Sequence, residues 1–76
     1  MKVYPNPVEN GKFMISFDKM TSAYSVKIYD ASGKVIYSDN LNGISNQINL
    51  GQQTSGVYLM KIYNDEVSRT VKLIIK

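Results

Sequence analysis

The chain has 76 residues and a net charge of +3, with 43% apolar and 20% charged residues, a composition that argues against disorder. It contains no cysteine and no histidine, which excludes disulfides and thiol chemistry and removes the usual general base and the commonest metal ligand. The length suits a single domain with a thin core. The lysines and arginine are scattered, which disfavours a nucleic-acid arm, and no apolar run reaches the about 18 residues of a membrane helix.

The first half of the chain predicts three strands and a short opening segment. Val3-Tyr4-Pro5-Asn6-Pro7 is held extended by its prolines, and the pairing of its first residues is expected to stop at Pro5. Residues 13–17 alternate in polarity, whereas residues 18–23 read as a connection. Residues 24–38 predict a hairpin with a tight loop from Asp30 to Gly33, where glycine takes the left-handed conformation. The expected inward positions are Phe13, Ile15, Phe17, Tyr24, Val26 and Ile28.

The second half predicts a loop, a short strand and a closing hairpin. Residues 39–43 are dense in turn formers, and residues 46–50 form the short strand. Residues 57–63 and 67–75 are rich in β-branched and aromatic types, and Asn64-Asp65 between them suits a two-residue type I′ turn. The inward positions here are Ile48, Leu50, Tyr58, Met60, Ile62, Val71, Leu73 and Ile75. Six or seven short strands without a helical period favour an all-β sandwich or barrel.

Few residues offer catalytic chemistry. Ser16 and Lys19 have the Ser-x-x-Lys spacing, but that spacing joins side chains on a helix, whereas here it spans a strand end and a turn. The acidic residues fall mostly one per turn, which fits the turn preference of aspartate, and the oxygens of a calcium site are not clustered. We therefore expect no catalytic residue, no metal and no cofactor.

Three tyrosines raise an alternative to a purely structural role. Tyr29, Tyr37 and Tyr63 are predicted on the outer faces of their strands, where an aromatic strip could contact sugars or proteins. Half-buried packing at cross-strand pairs is the better explanation for them. The functional alternative is an immunoglobulin-like or fibronectin-like accessory module that binds polysaccharide or protein.

Three motifs in order resemble a known family. They are Tyr4-Pro5-Asn6-Pro7, Tyr29-Asp30-x-x-Gly33-Lys34, and Gly56-Val57-Tyr58-Leu59-Met60-Lys61-Ile62 followed by a terminal Val71-Lys72-Leu73-Ile74-Ile75-Lys76. The set resembles the type A C-terminal sorting domain of the type IX (Por) secretion system of Gram-negative bacteria, over residues 3–76. One departure is that Thr54-Ser55 stands where the family often has a proline.

The resemblance implies a fold and a role. The fold is an immunoglobulin-like antiparallel β-sandwich of about seven short strands, so that residues 1–76 form one sorting domain from a larger precursor. The role is that of a non-catalytic signal that directs a covalently attached cargo through the periplasm to the cell surface. Its partners are the outer-membrane translocon and a surface sortase that usually removes the domain, without nucleic acid or membrane insertion.

The last strand is expected to lie open at a sheet edge, and this position suggests a mechanism. Its exposed main chain then offers strand addition to the translocon, which depends little on side chains. The hypothesis assigns the contact to residues 69–76, and specifically to Arg69, Lys72, Ile74 and Lys76. The motif residues expected to hold the structure are Pro5, Asn6, Pro7, Gly33, Gly56 and Tyr58.

Overall fold

The computed structural model describes residues 1–19 and 23–76. This part of the chain forms strands, turns and loops, with no helix. The strands are β1 (Lys2–Glu9), β2 (Lys12–Ser16), β3 (Tyr24–Tyr29), β4 (Val35–Leu41), β5 (Ser45–Asn49), β6 (Gly56–Tyr63) and β7 (Ser68–Ile75). The connection expected over residues 18–23 includes residues 20–22, which lie outside the described part.

The strands form the two sheets of an immunoglobulin-like sandwich. A three-stranded sheet consists of β1, β2 and β5, and a four-stranded sheet has the order β4-β3-β6-β7. All strand pairs are antiparallel except the short contact between β1 and β7, which is parallel and links the two sheets. The predicted fold class is confirmed.

Strand β1 belongs to both sheets. Its residues Lys2, Val3 and Tyr4 pair with β2, as does Glu9 at the other end of the strand, whereas Val8 pairs with Ile75 of β7. Between them lies the Pro-Asn-Pro segment, with both X–Pro peptide bonds cis. Because proline has no N–H group to donate, the pairing with β2 is interrupted there, as predicted at Pro5.

The core lies between the sheets and follows the predicted alternation. Phe17, Tyr24 and Val71 are only half-buried at its margin, where the rings of Phe17 and Tyr24 stack at 5.0 Å. Two buried residues, Val8 and Leu41, were not predicted to be inward. Leu41 is the last residue of β4, so the loop predicted over residues 39–43 is wrong for its first half. The buried hydrophobic residues are Val8, Phe13, Ile15, Val26, Ile28, Leu41, Ile48, Leu50, Tyr58, Met60, Ile62, Leu73 and Ile75.

The loop between β3 and β4 is built as predicted. The Asp30 Oδ1 atom accepts hydrogen bonds from the Ser32 N–H, the Ser32 hydroxyl and the Lys34 N–H at 2.7–3.0 Å. Gly33 has a φ of 89° and donates its N–H to the Asp30 carbonyl. The Ser32 hydroxyl and then the Lys34 N–H lower the pKa of Asp30, because they stabilise its charged form.

The loop between β6 and β7 differs from the prediction. Tyr63 pairs with Ser68, so the connection has four residues, 64–67, and neither Asn64 nor Asp65 takes the positive φ of a type I′ turn. Instead the Asn64 Oδ1 atom accepts the N–H groups of Glu66 and Val67, both at 2.9 Å. The asparagine therefore acts through its side chain as a local acceptor.

Candidate recognition surface on the last strand

Strand β7 has two different long edges. Along one edge it pairs with β6 over its whole length, from Tyr63–Ser68 to Gly56–Ile75. Along the other edge the only strand pairing in the described residues is the single parallel pair of Val8 and Ile75. The last residues of β7 are thus enclosed, whereas residues 68–71 have no strand on that side within the described part.

Asn6 closes the gap between β1 and the end of β7. Its side-chain amide donates to the Lys72 carbonyl at 3.0 Å, and its Oδ1 atom accepts the Ile74 N–H at 3.0 Å. The Lys76 N–H donates to the Val8 carbonyl at 3.0 Å. One amide side chain therefore replaces a strand partner, and the prediction that the last strand is an open edge is wrong from Lys72 to Lys76.

The side chains of β7 alternate between two surroundings. Lys72, Ile74 and Lys76 point to the outer face of the four-stranded sheet, while Leu73 and Ile75 are buried beneath them. Arg69 has the opposite parity and lines a groove at one end of the sandwich with Phe17, Tyr24 and Ile62. The predicted contact residues therefore form a group of three and a separate arginine.

The Lys76 side chain also contacts β1. Its Nζ atom lies 3.5 Å from the Glu9 Oε1 atom, and both side chains are largely exposed. Exposed pairs of this kind contribute about 0–1 kcal/mol. The ion pair leaves Lys76 accessible and adds little to the link that Asn6 makes.

The comparison with known proteins identifies the family. Residues 2–76 match the secretion system C-terminal sorting domain. The chain belongs to this family. It is also 37% identical over 78 residues, across its full length, to an endo-acting ulvan lyase of Formosa agariphila, and it spans 15% of the length of that protein.

Family membership makes the sorting domain a signal for type IX secretion and implies export toward the cell surface. Domains of this family are in general non-catalytic. Within residues 1–19 and 23–76, the chain offers no helix that is long and apolar enough to cross a membrane.

Five of the motif residues of the sorting domain lie on β1 and β6, the two strands that pair with its terminal strand. Pro5, Asn6 and Pro7 lie where β1 changes sheets. Gly56 opens β6 opposite Ile75, and Tyr58 lies opposite Leu73. The Tyr58 ring is buried, and its hydroxyl donates to the Thr54 carbonyl at 2.6 Å, so this tyrosine is part of the core with a satisfied polar end.

The predicted tyrosine strip does not form. Tyr37 pairs with the buried Ile28 and therefore faces inward, where it packs against the core. Burial, and next the hydrogen bond of its hydroxyl to Asp39 at 3.2 Å, raises the pKa of Tyr37. Of the three tyrosines, Tyr29 and Tyr63 share the outer face, so the accessory binding module predicted as the alternative has two of its three contact residues there.

The sequence reasoning missed a group of outer-face residues on β6 that adjoins β7. Val57 lies opposite Ile74, and Leu59 lies opposite Lys72. Val57 and Leu59 are 48% and 49% exposed. The sequence contained this information. Val57 and Leu59 flank Tyr58, which was predicted to point inward, so the alternation of a strand already placed these two apolar side chains on the solvent side.

We expect the Asn6 contact to stabilise the end of β7 measurably. Asn6→Ala removes both hydrogen bonds, each of which contributes about 0.5–1.5 kcal/mol. The free energy of unfolding should fall by about 1–3 kcal/mol, and the Ile74 N–H should exchange faster with deuterium. Asn42→Ala is the control, because Asn42 is exposed and uses its backbone N–H, not its side chain, in its hydrogen bond. Unchanged exchange at Ile74 would contradict this role of Asn6.

Proposed function

We propose that the outer-membrane translocon of the type IX system captures an attached cargo by reading side chains on the outer face of the last strand. The observation that supports this is the arrangement of Lys72, Ile74 and Lys76: they share an exposed face, while the main chain beneath them is occupied by Asn6 and Val8. A partner that reaches this part of the strand meets side chains first.

The chemistry of this surface suits a side-chain contact. Ile74 is 39% exposed and lies between two lysines on the same face. An apolar side chain flanked by cations pairs well with an apolar patch bordered by carboxylates, because burial supplies affinity and charge supplies orientation. Strand addition, the mechanism expected from the sequence, could then occur only at residues 68–71, where β7 has no described strand beside it on this edge.

Arg69 belongs to a second, separate contact in this proposal. It lies on the groove side of β7, with Ser68 and Val67 before it at the start of the strand. An arginine there offers a planar donor that carboxylates can bind in a bidentate manner. The translocon would touch Arg69 beside the open edge at residues 68–71 and not together with Lys72.

The proposed sequence of events begins with a precursor that carries an ordinary signal peptide. The domain folds in the periplasm, the translocon recognises it, and a surface sortase cuts upstream of it and can join the cargo to an anionic lipopolysaccharide. The family match and the short span of the ulvan lyase covered by this chain support a domain attached to a larger cargo. The domain itself is the substrate of both machines.

Replacing Ile74 should separate recognition from folding. A reporter fused to the Ile74→Ser domain should remain in the periplasm of a type IX-secreting bacterium, with secretion lowered about tenfold for a lost contact of about 1.4 kcal/mol. Because Ile74 is exposed, the free energy of unfolding should change by less than about 0.5 kcal/mol. Ile44→Ser is the matched control, since Ile44 is an exposed isoleucine remote from β7 in sequence.

The same assay reports removal by the sortase. Wild-type reporter recovered from the surface should be shorter than its precursor by at least the 8.6 kDa of the domain. Secretion of Ile74→Ser at the wild-type level would contradict the recognition role, whereas full-length reporter at the surface would contradict only the removal step.

A further inference from the structure

The outer face of the four-stranded sheet carries an apolar patch that continues from Ile74 across three more strands. Ile74 lies opposite Val57, and the next row runs from Leu59 to Tyr29 and then to Val35. Except for the half-buried Tyr29, these side chains are 39–49% exposed. A patch that spans four strands indicates an interaction surface more strongly than scattered exposed residues do.

Three lysines border this patch. Lys27 and Lys61 are directly opposite each other on β3 and β6, and Lys72 follows on β7 opposite Leu59. The Nζ atoms of Lys27 and Lys61 lie 6.0 and 5.0 Å from the centre of the Tyr63 ring. In β3, β4, β6 and β7, whose residues are all described, the outward positions include no acidic residue, since Asp39 pairs with the buried Val26 and faces inward.

The lysine pair is not explained by folding. Like charges directly opposite on neighbouring strands destabilise a sheet, and the contacts of the two lysines with the Tyr63 ring only act against that effect. A basic border with no internal carboxylate is instead complementary to an acidic partner. The apolar centre and charged rim have the anatomy of a protein interface.

We propose that this outer face, formed by Tyr29, Val35, Val57, Leu59 and Ile74 with Lys27, Lys61 and Lys72 at its border, docks onto a protein surface that has an apolar centre and a rim of carboxylates. The inference rests on the proposed function, because it extends the recognition surface of β7 onto β6, β3 and β4. A second copy of this chain is disfavoured as the occupant, because two such faces would bring lysines together. A membrane is disfavoured because the chain has no tryptophan and the patch is mainly aliphatic.

Lys61→Glu tests the charged border while keeping the fold. The change places a carboxylate opposite Lys27, so the variant should melt no lower than the wild type. Secretion of the fused reporter should nevertheless fall about tenfold, as for a lost interface contact of about 1.4 kcal/mol. Lys2→Glu is the control, since it makes the same charge change at an exposed position of β1.

Leu59→Ser tests the apolar centre, again with Ile44→Ser as the control. Both outer-face variants should fail in secretion while both controls succeed. If Ile74→Ser blocks secretion but Lys61→Glu and Leu59→Ser do not, the extended surface is wrong and recognition by β7 stands. If none of the three changes secretion, both proposals fall.

Two measurements on the purified domain test the other occupants. Co-sedimentation with phosphatidylglycerol vesicles should show no binding, and sedimentation velocity should show a monomer. Vesicle binding that is lost in Lys61→Glu would assign the face to an anionic membrane and overturn the protein partner. A dimer that is lost in Leu59→Ser would assign the face to a second copy of the chain and would also overturn the proposed protein partner.

Discussion

Replacing Leu73 with alanine is expected to lower the free energy of unfolding by about 2–5 kcal/mol. The Leu73 side chain has no exposed surface and lies opposite the buried Tyr58 in the four-stranded sheet. The substitution removes buried apolar atoms and leaves a cavity in a thin core. Since the whole stability of a domain is about 5–15 kcal/mol, and small domains lie near the low end, the Leu73→Ala domain should keep only about 0–3 kcal/mol of stability.

The neighbouring residue supplies the matched control. Ile74→Ala changes a similar side chain one position along the same strand, but Ile74 points to the outer face. Its effect on stability should stay within about 0.5 kcal/mol. Urea denaturation followed by circular dichroism measures both variants. Equal losses for Leu73→Ala and Ile74→Ala would contradict the assignment of the two faces of β7.

The contrast between these residues also decides which export experiment is informative. Deleting residues 72–76 removes Leu73 and Ile75 from the core together with the hydrogen bonds to Asn6 and Val8. A truncated domain would therefore lose secretion by unfolding, whatever the translocon reads. Single outer-face substitutions keep the core intact, so only they separate recognition from folding.

Short-range features of this domain could be predicted from the sequence because one periodicity controls them. Alternation identified the inward side chains of β2, β3, β6 and β7, and the Asp30–Gly33 loop was readable because its acceptor and its left-handed glycine lie close together. The same alternation already separated Arg69 from Lys72, Ile74 and Lys76. The hypothesis of one contact cluster overlooked that difference in parity.

Composition misled the prediction at β4. Ser38, Asp39 and Asn40 are turn formers, yet they continue the strand to the buried Leu41. They are tolerated because β4 is the edge strand of its sheet, where polar side chains remain in water. A sequence gives no direct sign of whether a strand will be at an edge.

Contacts between distant segments could not be predicted at all. Asn6 and Ile74 are separated by 68 positions, and the parallel pairing of β1 with β7 has no turn to reveal it. The register of β3 against β6 brings Lys27 opposite Lys61, although two strands, β4 and β5, lie between them in the sequence. The candidate recognition surface depends on these pairings, and so only its β7 residues were identified beforehand.

Another long-range contact joins the turn after β1 to the loop after β5, at two glycines. Gly11 is buried with a φ of 70°, and its carbonyl accepts the Leu50 N–H at 2.8 Å. A methyl group on Gly11 would overlap the carbonyl oxygen of Gly51. The sequence indicated a turn at Asn10-Gly11, but it could not show that another backbone segment packs against this glycine.

Gly11→Ala is therefore expected to be as damaging as a core truncation. Positive φ at a non-glycine residue costs about 1–3 kcal/mol, and forcing atoms into a packed site costs about 1–3 kcal/mol more. The free energy of unfolding should fall by about 2–6 kcal/mol, measured by urea denaturation.

Gly43→Ala isolates the two contributions. Gly43 has a similar φ of 76°, but a methyl group there would meet no atom within 4 Å. It should show only the backbone cost, so the difference between the two variants measures the overlap with Gly51. Equal destabilisation would mean that the loop after β5 moves aside at little cost. A larger loss for Gly11→Ala would mean that the packing of the Gly11 and Gly51 backbones holds the turn between β1 and β2 in place. That turn belongs to the three-stranded sheet, whose strand β1 contacts β7 through Asn6.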